Sequence, residues 1–116
     1  MEIKQIAADF VKLIREGKNK QAKEQYYAAR IASIEGNGER IDGIEAVYQK
    51  SAAWENHVQE VHSAHVSEPL VASDHFALHI EMDISYKNGH RARLNEIAVY
   101  QVAENKIVHE QYFFKQ

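Results

Sequence analysis

Arg93 to Phe114 reads Arg-Leu-Asn-Glu-Ile-Ala-Val-Tyr-Gln-Val-Ala-Glu-Asn-Lys-Ile-Val-His-Glu-Gln-Tyr-Phe-Phe, and the rest of the chain is organised around it. Its β-branched and aromatic residues favour a pleated backbone. Glu104-Asn105 divides it into two runs, and asparagine tolerates the positive φ of a tight hairpin turn. The stretch therefore predicts two long antiparallel strands at the centre of a sheet, with Ala103 paired with Lys106 across a two-residue turn.

A second hairpin is predicted at Asn88-Gly89, which joins this stretch to an alternating segment from His75 to Lys87. A two-residue turn there places Glu81 opposite Glu96, because the side chains of a strand alternate between the two faces of a sheet. One face of the three strands then carries polar and small side chains, namely Ala77, His79, Glu81, Asp83, Glu96, Ala98, Tyr100, His109, Gln111 and Phe113. The opposite face is apolar and resembles a core; it carries Phe76, Leu78, Ile80, Met82, Ile97, Val99 and Phe114.

The composition is that of one globular domain, residues 1–116, with 45% hydrophobic residues. The 14 basic and 17 acidic residues are spread along the chain, without a lysine or arginine run that would bind a phosphate backbone. Cysteine is absent, which excludes disulfides and thiolate metal sites and suits a reducing cytoplasm. There is no signal-peptide pattern and no apolar run approaching the ~20 residues of a membrane span. We therefore expect a cytoplasmic protein that binds neither nucleic acid nor membrane.

The first half of the chain predicts three helices, a small hairpin and a further strand. Apolar residues at helical spacing mark the helices, and Gly17, Asn19 and Asp42 mark helix ends. Gly36-Asn37-Gly38 is a strong hairpin signal between two strand-like runs. The predicted elements are a helix over residues 2–16, a helix from 19 to about 28, strands at 31–35 and 39–41, a helix from 42 to about 55, and a strand over 57–67.

This order of elements resembles the NTF2-like (cystatin-like) fold, an α+β cone in which three N-terminal helices pack on a curved antiparallel sheet around a cavity. More narrowly, segments 74–79, 82–83, 95–102 and 106–114 are similar to those of SnoaL-like proteins. The resemblance covers the whole chain and implies a small-molecule-binding protein. Relatives of this fold include steroid isomerases, polyketide cyclases, dehydratases and non-catalytic binding modules. Catalytic members often carry an aspartate just after the second helix, and this chain departs from that pattern with Tyr27-Ala28-Ala29-Arg30.

Glu81 and Glu96 are the predicted acid and base groups, with Asp83 and Tyr100 on the same face. Two carboxyl groups buried together repel each other when both are ionised, so the pKa of one should rise and leave a proton to donate or accept. The residues predicted to contact the ligand are His79, Ala98, Gln111, Phe113 and, from the third helix, Trp54. Together with the resemblance, this face predicts an acid–base isomerase, cyclase or dehydratase acting on a small apolar or cyclic molecule.

Two other interpretations of the polar face stay open. It could be the solvated or dimer-contacting outside of the sheet, in which case the protein is a non-catalytic binding or dimerisation module without a functional cavity. Alternatively, a β-bulge could shift the register. The seven histidines do not predict a metal site, since His75 and His79 would lie roughly 13 Å apart along one strand. We expect no cofactor, no metal, and a homodimer that forms through the sheet.

Overall fold

The computed structural model describes residues 1–115, which form three helices and seven strands. The helices are α1 (Ile3–Arg15), α2 (Asn19–Tyr26) and α3 (Ile44–His57). The strands are β1 (Tyr27–Ile34), β2 (Arg40–Asp42), β3 (Val58–Val66), β4 (Leu70–Ala72), β5 (His75–Tyr86), β6 (Arg91–Ala103) and β7 (Lys106–Phe113). The predicted α+β class with three helices is thus confirmed. None of the helices in this part of the chain is long and apolar enough to cross a membrane.

The seven strands form one sheet in the order β2-β1-β7-β6-β5-β3, with β4 added to β5. Strand β1 pairs with β7 in parallel, whereas the other pairs are antiparallel. The prediction of a fully antiparallel sheet is therefore wrong at one pair. A tight hairpin turn makes two consecutive strands antiparallel. Strands β1 and β7 are far apart in the chain and no such turn joins them, so they can pair in parallel.

Helix α1 anchors the core through an apolar stripe that lies against the sheet, with Phe10 at its centre. The ring of Phe10 lies 5.2 Å from that of Tyr100 and 6.0 Å from those of Phe76 and Tyr27. These aromatic pairs have the offset and edge-on geometry that rings prefer. Gly17, at φ 77°, ends the helix in the left-handed conformation, as its sequence position predicts.

The N-terminus of α3 differs from its prediction, because Asp42 belongs to β2 and does not cap the helix. The Asp42 carboxylate accepts hydrogen bonds from the Arg40 guanidinium at 3.0 and 3.1 Å, so it is occupied within the strand. Gly43 is the N-cap instead, at φ 95°, and its N–H donates to the Ile31 carbonyl at 2.7 Å. Glycine adopts this positive φ without the steric cost that other residues meet.

The hairpin between β6 and β7 has the predicted turn but shifts register beyond it. Glu104 and Asn105 both have positive φ, 52° and 65°, and Ala103 pairs with Lys106. A bulge then follows, because the Val102 N–H donates to the Asp74 carbonyl at 2.8 Å. As a result Tyr100 pairs with Glu110, and not with His109 as predicted.

The hairpin between β5 and β6 has a three-residue loop, not the predicted two-residue turn. The Tyr86 N–H donates to the His90 carbonyl at 2.8 Å, which leaves residues 87–89 as the loop. Of these, Gly89 alone has positive φ, whereas the predicted turn requires it at two residues. The prediction that Glu81 lies opposite Glu96 is therefore wrong. Glu96 pairs with Ile80, because a slip of one residue moves a side chain to the other face.

Candidate active site

The two register shifts divide the predicted site between the two faces of the sheet. We call the face that carries the buried aromatic core the inner face; it includes Phe76, Leu78, Ile80, Glu96, Ala98, Tyr100, Glu110 and Tyr112. The opposite, outer face carries the other predicted site residues of the sheet, namely His79, Glu81, Asp83, Gln111 and Phe113. Trp54 is partly buried on α3. The structure thus brings Glu96, Ala98 and Tyr100 together and separates them from Glu81 and Asp83.

The polar groups of the outer face are paired with one another. Asp83 accepts two hydrogen bonds from the Arg91 guanidinium, at 2.9 and 2.8 Å, and these bonds hold the pKa of Asp83 below its ordinary value. A ring nitrogen of His79 lies 2.6 Å from the Asn95 amide oxygen. Within residues 1–115, no three His, Asp or Glu side chains are grouped so that they could hold a metal ion.

Glu96 is a partly buried carboxyl group on the inner face. Burial raises its pKa, and the nearby charge of Glu35 adds to the increase, while Lys50 opposes it and Glu110 adds a smaller effect. The predicted direction of the shift is therefore correct, and so is burial as its largest cause. The acids that repel Glu96 differ from the predicted one: they are Glu35, which follows β1, and Glu110 of β7, in place of Glu81 on β5.

A cavity of about 600 Å³ lies between the C-terminal end of α1 and strands β3 and β5. Its lining combines polar residues with apolar ones, namely Arg15, Asn19 and His65 with Ile14, Val61, Ala64, Val66, Ile80 and Met82. Ile80 is the cross-strand partner of Glu96, and such partners have their Cβ atoms roughly 5 Å apart on the same face. Glu96 is therefore the cross-strand neighbour of one lining residue of this cavity, whose volume suits a small molecule.

Glu110 lies deeper in the inner face, with 1% of its surface exposed. Its Oε1 accepts hydrogen bonds from the hydroxyls of Tyr27 at 2.5 Å and Tyr112 at 2.9 Å. Burial and the Glu110 charge raise the pKa of Tyr27, Tyr100 and Tyr112 well above the ordinary value, so all three stay protonated. Glu110 was not among the predicted site residues. The available signal was a carboxylate between Val108 and Tyr112 at alternating positions of the strand, which the wrong register placed on the face away from Glu96.

Two lysines from the helices complete the polar interior, and neither was predicted. Lys50 of α3 forms an ion pair with Glu35, donates to the Ser33 hydroxyl at 2.7 Å and lies 5.4 Å from the centre of the Tyr112 ring. Lys23 of α2 donates to the Ser51 hydroxyl at 2.5 Å. The inner face therefore holds acids and phenols, with two amines from the helices close by, and these are the groups that acid–base chemistry uses.

Comparison with known proteins assigns the family. The model of the SnoaL-like domain matches residues 1–114. The chain belongs to the SnoaL-like family. A comparison with curated proteins found no match. The resemblance stated from the sequence is thus confirmed.

Among solved structures, a candidate SnoaL-like polyketide cyclase from Mesorhizobium loti, whose name also includes the term carbohydrate phosphatase, is 39% identical. The match covers 98% of this chain and 100% of that protein, with a TM-score of 0.91. A second candidate polyketide cyclase, from Jannaschia sp. CCS1, is 14% identical over 97% of this chain and 88% of its own, with a TM-score of 0.81.

A protein with a ketosteroid isomerase-like fold from Catenulispora acidiphila, in complex with trimethylamine, is similar at 17% identity and a TM-score of 0.71. That match covers 94% of this chain and 81% of the other. At these lower identities the likeness concerns the fold, which is a mixed curved sheet with helices. It supports the NTF2-like architecture expected for this SnoaL-like protein.

Proposed function

We propose that this SnoaL-like protein binds a small apolar or cyclic molecule at the inner-face cavity and transfers a proton to or from it through Glu96. The observation that carries the proposal is the partly buried carboxyl group of Glu96 on the inner face, whose cross-strand partner Ile80 lines a cavity of about 600 Å³. Among residues 1–115, no side chain donates a hydrogen bond to that carboxyl group. It is therefore available to a ligand.

A raised pKa suits Glu96 to this role, because a carboxyl group whose pKa approaches the working pH can both remove and return a proton. In an isomerisation or cyclisation, the carboxylate would take a proton from a carbon next to a carbonyl group. The C–H electron pair then forms the enolate, and the proton is returned at another atom. The name of the 39% identical relative, a candidate polyketide cyclase, is compatible with a substrate of this type.

Ala98 and Tyr100 would contribute space and shape, not proton transfer. Ala98 is fully buried beside Glu96 on β6, and Tyr100 is 2% exposed within the aromatic core. Burial and the charge of Glu110 raise the pKa of Tyr100 well above its ordinary value, so its phenol is a donor and not a base. Among the predicted site residues of the sheet, Glu96 alone combines a carboxyl group with a place on the inner face, next to Ile80 of the cavity lining.

The test is ligand binding by the wild type, Glu96→Gln and Glu81→Gln, measured as thermal stabilisation with a panel of steroids, polyketides and cyclic ketones. A ligand at a hundred times its dissociation constant should stabilise the fold by about 2.7 kcal/mol. We expect Glu96→Gln to retain binding of at least one compound and to lose its conversion. Glu81→Gln is the matched control on the outer face and should keep both. Absence of binding across the panel would contradict the proposal.

We also propose that two copies associate through the outer face. Ile97 and Phe113 are cross-strand partners there, and they are 42% and 50% exposed. A groove of about 410 Å³, lined in part by Leu70, Ala77 and Ile97, lies beside them. Contiguous exposed apolar surface of this kind favours association between proteins. This second role is compatible with the first, because the two sites lie on opposite faces of the sheet.

A further inference from the structure

We propose that the inner-face cavity takes a molecule that carries a carboxylate on an apolar body, and that Arg15 binds the carboxylate. The inference rests on the proposed function only in using the same cavity. It adds the charge of the molecule and the residue that recognises this charge. Proton transfer by Glu96 plays no part in it.

The first support is the charge of the cavity lining. The chain has more acidic than basic residues, 17 against 14. Within residues 1–115, however, no aspartate or glutamate lines the cavity, whereas Arg15 and His65 do. A concave surface lined by one sign of charge concentrates ions of the opposite sign. The lining therefore favours an anionic molecule over a cationic one.

The second support is the way in which the Arg15 guanidinium is held. Its Nε–H and one N–H of Nη2 donate to the Val66 carbonyl, at 3.2 and 2.7 Å, and Nη1 lies 3.0 Å from a carboxylate oxygen of Glu68. Nη1 and Nη2 each carry a second N–H, and neither of these has a partner within residues 1–115. The two nitrogens form the fork that binds both oxygens of a carboxylate. Because the Val66 bonds already orient this fork, binding requires little further ordering of the side chain.

Glu68 is a partner that a ligand can replace. Its side chain is 84% exposed and that of Arg15 is 43% exposed. Ion pairs this exposed contribute little to stability, because both groups remain close to water and salt screens their attraction. A carboxylate whose apolar body lies in the cavity can therefore displace Glu68, and the Glu68 carboxylate returns to water.

The third support is the separation of polar and apolar residues in the lining. Arg15 and Asn19 come from the end of α1 and the start of α2, whereas Val66, Ile80 and Met82 come from the strands. The strand side of the cavity offers apolar surface that an alkyl chain or a carbon ring can cover. A sugar or an inorganic anion has no apolar part for that side. The ligand class is therefore an amphipathic carboxylic acid.

The experiment compares the binding of octanoate, octanol and octylamine to the intact protein by isothermal titration calorimetry. The three probes share one alkyl chain and differ in charge. We expect octanoate to bind severalfold more tightly than octanol, and octylamine to bind most weakly. Equal affinities for octanoate and octanol would overturn the carboxylate site and leave the proposed small-molecule function standing. Absence of binding by all three would also overturn the inference, while the panel of steroids, polyketides and cyclic ketones decides the proposed function separately.

Glu68→Gln provides a readout that a purely structural arginine would not affect. It removes the competing carboxylate, so octanoate should bind severalfold more tightly while the affinity for octanol stays the same. Glu39→Gln is the matched control, because it changes the net charge equally, and the exposed Glu39 directly precedes β2, at the opposite edge of the sheet from β3. Equal effects of the two substitutions on octanoate binding would contradict the proposal.

Arg15→Gln removes the fork and keeps a polar side chain. The preference for octanoate over octanol should disappear, while octanol still binds and the circular dichroism is unchanged. A preference that persists in Arg15→Gln would overturn the role of this arginine. Binding is measured without turnover, so a failure of proton transfer by Glu96 would leave the result standing.

Discussion

A carboxyl group that is 1% exposed, as Glu110 is, has to replace the hydrogen bonds that it made with water. Tyr27 and Tyr112 supply two of them, both to Oε1. Tyr27 lies on β1, whereas Tyr112 and Glu110 both lie on β7, the strand with which β1 pairs in parallel. The Tyr27 bond therefore joins the one parallel pair among the described strands and contributes to stability as well as to the polarity of the interior.

Tyr27→Phe tests this network, since it removes one donor and leaves the ring. We expect the free energy of unfolding to fall by roughly 1–3 kcal/mol, the usual cost of leaving a buried polar group short of a partner. Urea unfolding followed by circular dichroism measures the change. Tyr86→Phe is the control, because the Tyr86 ring stacks on His90 at the far end of β5 and lies away from Glu110. Equal effects of the two substitutions would contradict the network.

The pH dependence of stability tests the burial of Glu96. Its pKa in the folded protein is raised above the ordinary value of 4.5, so the unfolded chain loses this proton at lower pH than the folded protein does. The contribution of Glu96 to stability therefore decreases as the pH rises from about 4.5 until the folded pKa is passed. Glu96→Gln cannot titrate and should gain stability relative to the wild type between pH 4 and pH 7. Urea titrations at both pH values would show this gain, and its absence would mean that Glu96 is solvated.

At the level of elements, helix α1 holds the inner face closed on one side. Phe10 is 1% exposed and contacts aromatic rings from β1, β5 and β6, so Phe10→Ala should reduce the free energy of unfolding by roughly 3–5 kcal/mol. Lys12→Ala, on the exposed side of the same helix, should change it by less than about 0.5 kcal/mol. A cost for Phe10→Ala below about 1 kcal/mol would mean that α1 does not pack on the sheet as described.

The elements themselves were largely predictable, whereas their register was not. The alternation of side chains along the sequence identified β5 and β6. Tolerance of positive φ at Glu104-Asn105 identified the hairpin turn between β6 and β7. The Asn88-Gly89 signal is compatible with either a two-residue or a three-residue loop, and the choice between them reverses the faces of β6 relative to β5. The bulge near Val102 depends on a hydrogen bond to Asp74, which is distant in sequence and not visible as a local pattern.

For this reason the sequence placed Glu96 and Tyr100 on one face, as the structure does, but predicted the wrong neighbours for them. The structure places Glu81 and Asp83 on the outer face, and Glu110 on the inner face together with Lys23 and Lys50 from the helices. The periodicity of the sequence does not show how these helices are oriented relative to the sheet. The only local signal was the Glu110 carboxylate, which alternates with apolar and aromatic side chains along its face of the strand.

At the scale of the whole molecule, the outer face predicts self-association. Phe113 is half exposed beside Ile97, so Phe113→Glu should convert the predicted dimer to a monomer of 13.3 kDa. Val61→Glu is a control of similar exposure, since Val61 is 46% exposed on β3 and lines the inner-face cavity. Sedimentation equilibrium at tens of micromolar distinguishes these states. A wild type that is monomeric under those conditions would exclude this interface.

Acid–base chemistry at Glu96 requires a partly desolvated carboxyl group on the inner face, close to Glu35 and Glu110. Carboxyl NMR titration of the ligand-free protein measures the pKa of this group directly. The predicted result is a midpoint for Glu96 above 4.5 that decreases in Glu35→Gln, because that substitution removes a neighbouring negative charge. A midpoint at or below 4.5, unaffected by Glu35→Gln, would contradict the placement of Glu96 and the acid–base function built on it.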